Sequence, residues 1–126
     1  MKLLFIAFLS LILVTGCKTS KDSNTEVLET NIISITSPEN AIVGDNVKIK
    51  VHFVGINGCA QPYSIEADKV GQTIKIRAFY SLPEDGICTD ALTDLSLDYT
   101  YFADLPGPYF FTSSSDNTIS DTLVVQ

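Results

Sequence analysis

Three cysteines, one histidine and fifteen acidic side chains give this 126-residue chain most of its capacity for chemistry. His52 is the lone imidazole base, and it alternates with Lys48 and Lys50. That spacing puts it on the outward face of a strand, among solvated residues. A hydrolytic site needs a nucleophile held against the base, as in a Ser-His-Asp set or a GxSxG turn. The sequence contains no such motif, and its glycines are scattered turn formers rather than a phosphate-cradling loop. Paired carboxylates can cleave glycosides, but a module this small rarely offers the cleft. These residues predict a protein that is not an enzyme and uses no cofactor.

The acids are unevenly placed. No Lys or Arg follows Arg77, whereas Glu84, Asp85, Asp90, Asp94, Asp98, Asp104, Asp116 and Asp121 all do. Calcium takes carboxylate and carbonyl oxygens at exported sites, which makes Glu84, Asp85, Asp90 and Asp94 its candidate ligands. The chain lacks a DxDxDG run, so a solvated acidic surface is the plainer reading and no metal site is assigned. A net charge of -7 and a pI near 4.4 argue against nucleic acid as a partner, because phosphates are held by clustered Lys and Arg.

The amino terminus has a different character. Met1-Lys2 is a short positive start, and residues 3–14 form an apolar run broken only by Ser10. This run is shorter than the roughly 20 residues a spanning helix needs, and it matches the apolar core of a secretory signal. It ends in Val14-Thr15-Gly16-Cys17, which resembles the bacterial lipobox. The resemblance implies cleavage after Gly16, a diacylated Cys17 thiol and an acylated new amino terminus. Two or three acyl chains anchor stably where one would not. Residues 1–16 are thus expected to be a lipoprotein signal peptide, and residues 17–30 a lipidated Cys with a flexible tether, since Lys18 to Glu26 is polar and aperiodic.

With Cys17 committed to lipid, Cys59 and Cys88 remain. An even pair in an oxidising compartment is expected to form a disulfide, here between two loops. CxxC spacing is absent, so a structural bridge is the reading rather than a redox pair.

Elements able to position these residues follow from Asn31 onward. Ile33 and Ile35 alternate with polar residues, as do Val47, Ile49, Val51 and Phe53. Tyr63, Ile65 and Ala67 form a third alternation, and Ile74, Ile76, Ala78 and Tyr80 a fourth. Leu95, Leu97, Tyr99 and Tyr101 make a fifth, Tyr109 and Phe111 a sixth, Leu123 and Val125 a seventh. Period 2 with Gly, Pro, Asn and Asp between segments predicts β-strands joined by turns. Beyond the leader no stretch keeps helical spacing. About seven short strands fit an all-β, antiparallel two-sheet sandwich over residues 31–126. Phe79, Phe102 and Phe110 fall on the outward phase; ordinary packing with a register shifted by a bulge is the plainer reading, and a contact patch is the alternative they leave open.

Leu105-Pro106-Gly107-Pro108-Tyr109 resembles the tyrosine corner of fibronectin type III and related immunoglobulin-like modules. The resemblance implies that the Tyr109 hydroxyl bonds back to nearby backbone. Pro38, Gly44-Asp45 and the strand that follows resemble the opening of bacterial immunoglobulin-like modules. The whole chain is similar to small Bacteroidetes lipoproteins built from a lipobox and one such module. This implies a bacterial envelope location, at the outer membrane, facing the periplasm or the surface.

The expected function is an envelope-anchored, non-catalytic binding or adhesion module. Its partners are the membrane, through the acyl chains on Cys17, and a protein or glycan. A structural or assembly subunit of an envelope complex is the alternative. A protease inhibitor presenting residues 81–87 is a third.

Overall fold

The computed structural model describes residues 25–84 and 86–126. The strongest alternation in the sequence becomes the longest inner strands. Val47, Ile49, Val51 and Phe53 all point inward, while Lys48, Lys50 and His52 line the opposite face. The chain order is β1 (Thr25–Thr30), β2 (Ile32–Thr36), β3 (Asn40–Ala41), β4 (Asn46–Gly55) and β5 (Gln61–Val70). It continues with β6 (Thr73–Pro83), β7 (Thr93–Phe102), β8 (Gly107–Ser113) and β9 (Ser120–Val125). Among the described residues there is no helix.

Two sheets face each other. The smaller has the order β2-β4-β7 and is antiparallel throughout. The larger has six strands: β1, β3, β5, β6, β8 and β9. Their inner faces bury Ile32, Ile49, Phe53, Ile74, Ile76, Phe111, Leu123 and their neighbours as one core. The all-β two-sheet sandwich expected from the sequence is the architecture found.

Four features depart from the expectation. Residues 25–30, read as the end of a tether, form β1 and pair with Pro83 through Ala78 of β6. The sandwich therefore includes residues 25–30, and residues 1–24, with the expected signal peptide and Cys17, lie outside the described residues. Second, two pairings are parallel, β3 with β9 and β6 with β8. The β6–β8 pairing is reached by a crossover through β7 in the other sheet, as parallel neighbours require. β5 covers β6 from Thr73 to Ser81, whereas β8 meets residues 73–76 and β1 meets residues 78–83. Since each residue has two edges, β8 and β1 must lie end to end along the edge that β5 leaves free.

The other two departures are bulges. A register shift between Ile32 and Ser34 turns Ile33 out to solvent and puts Ile32 inside with Ile35. A second shift between Pro62 and Ser64 exposes Tyr63, while Ile65 and Ala67 stay on the inner face. One extra residue reverses the phase of everything on one side of it.

The strand directions give the sandwich two ends. At one lie Thr25, residues 56–60, Glu84 and residues 86–92. At the other lie residues 42–45, the turn at Gly71, residues 103–106 and the carboxyl terminus.

Candidate functional site

The end where the chain enters the sandwich is built on the Cys59–Cys88 disulfide, whose Cα atoms are 5.4 Å apart. The bridge joins the loop after β4 to the loop after β6, as the cysteine count implied. Two hydrogen bonds reinforce it: Gly58 N–H donates to Thr89 O at 3.0 Å, and the Thr93 hydroxyl to Asn57 O at 2.7 Å. Cys59 N–H donates to the Asn57 side-chain oxygen at 2.9 Å, closing the tip of the first loop. Gly55 makes this return possible. A Cβ there would fall inside the van der Waals envelope of Ala60 Cβ.

Three apolar side chains project from the clamped loops. Ile56 is 57% exposed, Leu92 71% and Ile87 104%. Sequence reasoning missed them because they sit in turn segments where no alternation marks an inward or outward phase. Glu84, Asp90 and Asp94 are exposed around the same end, and Asp85 lies outside the described residues. Among the described residues no group of three or more His, Cys, Asp or Glu side chains could hold a metal ion.

The far end is tied by backbone bonds from Gly44 N–H to Ala103 O (2.7 Å) and from Ala103 N–H to Asp45 O (2.9 Å). It exposes Ile42 (67%), Leu105 (61%) and Phe102 (55%), together with Val43. Beside it is an open hollow of about 280 Å³ lined by Pro38, Asn40, Ala41, Asp45, Asn46, Val47 and Lys48. The Asp45 carboxylate there accepts the Ile42 N–H at 3.0 Å.

The outward aromatics are not brought together. Phe102 belongs to the far end. Phe79 is half-buried on the outer face of the larger sheet, with the Arg77 guanidinium 5.7 Å from its ring centroid. Phe110 is on β8 of that face opposite Thr73, six residues along β6 from Phe79. His52 lies between Ser34 and Ser96 on the outer face of the smaller sheet. Of the 81–87 segment, Ser81, Leu82 and Pro83 are in β6 and pair with β1, so they do not form an open loop.

One polar cluster closes the seam between the sheets. Lys69 of β5 donates to the Tyr101 hydroxyl at 3.1 Å and reaches Asp104 at 3.5 Å. Its ammonium lies 5.1 Å from the Tyr109 ring centroid and 5.4 Å from that of Tyr101. The bond to Tyr101 raises the Lys69 pKa, partly opposed by burial. Burial raises the Tyr101 pKa, partly offset by the ammonium. The same ammonium packs its charge against the faces of Tyr101 and Tyr109. Nearby, the Tyr109 hydroxyl donates to Leu105 O at 2.9 Å, the bond that the tyrosine-corner resemblance implied.

Searches of curated proteins and of solved structures return no match. A family model, described as the ORF11 beta-sandwich domain, matches residues 47–125. The match runs from β4 to β9 and takes in both disulfide cysteines. By this match over more than half of its length, the chain belongs to the ORF11 beta-sandwich domain family.

Proposed function

We propose that the protein is a bacterial envelope lipoprotein, anchored through acyl chains on Cys17. Its sandwich acts as a non-catalytic binding module that offers its far end to a protein or glycan. The observation that carries this reading is the opposition of the two ends. Thr25, which follows the lipobox cysteine by eight residues, is at the disulfide end. Ile42, Val43, Phe102 and Leu105 stand exposed at the other, the position that an anchored module presents outward. Exposed apolar side chains gathered at one end of a small domain are characteristic of contact surfaces.

The test has two arms. Expression in a bacterial host with a labelled fatty acid should give a labelled, membrane-bound protein, and Cys17→Ala should lose both properties. A pull-down from detergent-solubilised envelope should then recover a partner whose retention falls at least tenfold with Phe102→Ser plus Leu105→Ser. A soluble partner or a glycan supports a binding module. A stoichiometric membrane complex supports the alternative, an assembly subunit. Undiminished retention by the double variant would remove the far end from the reading.

A further inference from the structure

Ile56, Ile87 and Leu92 make no contribution to the core, yet the loops that carry them are braced by a disulfide and by hydrogen bonds between them. We propose that this end rests on the membrane, with the three side chains inserted at the headgroup boundary of zwitterionic lipid; the inference rests on the anchoring of Cys17 proposed above.

The length of chain before the fold selects the occupant. From Cys17 to Thr25 the backbone spans at most about 28 Å when fully extended, at roughly 3.3–3.6 Å per residue. A small folded domain is about 30 Å across. A protein partner of that size would take up the whole reach of the extended tether, whereas the lipid itself lies well within it. Anchoring also makes the contact intramolecular, so a weak insertion is well populated at the high effective concentration of a short tether.

The chemistry of the tips fits an interface. Their side chains are aliphatic and protrude from turns, the shape needed to enter the headgroup boundary without burying a strand's backbone. The disulfide and the Gly58–Thr89 and Asn57–Thr93 bonds fix the two loops beforehand, so little ordering is needed on contact. Around them, Glu26, Glu84, Asp90 and Asp94 are exposed, and no Lys or Arg follows Arg77 in the sequence. That charge on the loop end disfavours an anionic surface, against the two cations Lys18 and Lys21 between the anchor and Thr25, and favours zwitterionic lipid.

The chain has no Trp, so a single introduced indole reports one position. Full-length lipidated protein carrying Ile87→Trp, reconstituted into phosphatidylcholine vesicles, should emit at least twofold less when the lipid is brominated. Leu105→Trp, at the far end, should be unaffected. Adding Ile56→Ser and Leu92→Ser to the Ile87→Trp protein should restore at least half of the lost emission. Vesicles that carry the protein but give equal, unquenched emission from both Trp positions would overturn the proposal while leaving the anchor intact. Protein that fails to float with the vesicles and lacks the acyl mass would instead overturn the anchor, and this inference with it. Shielding of the position 87 Trp that appears only when envelope proteins are co-reconstituted would assign the end to a protein and overturn the lipid contact.

Discussion

Lys69 of the larger sheet donates a hydrogen bond to the buried hydroxyl of Tyr101 in the smaller sheet at 3.1 Å, closing the seam between them. Both groups have raised pKa values, the lysine from that bond and the tyrosine from burial. Their contribution is fully present below the ordinary values of 10.0 for Tyr and 10.5 for Lys. It is lost as pH rises through the folded-state values. Stability measured by denaturant titration should therefore fall above pH 10. Tyr101→Phe, which cannot ionise and offers no acceptor, should flatten that alkaline arm relative to the wild type. An unchanged slope in the variant would contradict the assignment.

Gly55→Ala should destabilise the fold by about 1–3 kcal/mol through overpacking against Ala60. The cause is close approach and not conformational freedom. A matching Ala60→Gly change in the same chain should recover part of the loss. Thermal unfolding of the single and double variants checks both expectations.

Replacing Cys59 and Cys88 together by Ser should cost about 3–4 kcal/mol, the loop-closure value for a bridge spanning 29 residues. A domain of this size gains much from such a constraint. Urea titration of the double variant reads the loss directly, and a change below about 1 kcal/mol would mean that hydrogen bonding alone holds the two loops.

Thr112 on β8 has a buried hydroxyl oxygen with no hydrogen-bond partner among the described residues. Thr112→Val keeps the branched shape suited to a strand and removes the unpaired polar atom. The variant should be more stable by about 1 kcal/mol. Chemical denaturation settles the sign, and a destabilised variant would mean that the hydroxyl is in fact satisfied in solution.

Much of the fold was legible because three long strands, β4, β6 and β7, alternate cleanly between buried and solvated positions. Ile33 and Tyr63 were placed on the wrong face because a bulge leaves no mark in an alternation pattern. The strand β1, TEVLET, escaped notice for a different reason. Leu28 is the one apolar side chain in it that packs against the core, and beyond the Thr30 hydroxyl bond to Val54 O the strand is held by backbone pairing, which any residue can supply. The parallel alignment of β6 and β8 depends on contacts far apart in sequence and has no local signature. At the candidate site, the disulfide followed from counting cysteines. The apolar loop tips did not, since exposed aliphatic residues in turns obey no period.

The end-to-end placement of β1 and β8 along β6 has a mechanical consequence. β1 runs from Thr25 at the disulfide end toward the middle of the sandwich, antiparallel to β6 through six residue pairs. A pull on the chain at Thr25, opposed by a load at the far end, acts along the strand axis. The ladder between β1 and β6 is then loaded in shear, with its bonds sharing the force, rather than unzipped one at a time. A module tethered at that point would transmit tension through its sheet before it yielded.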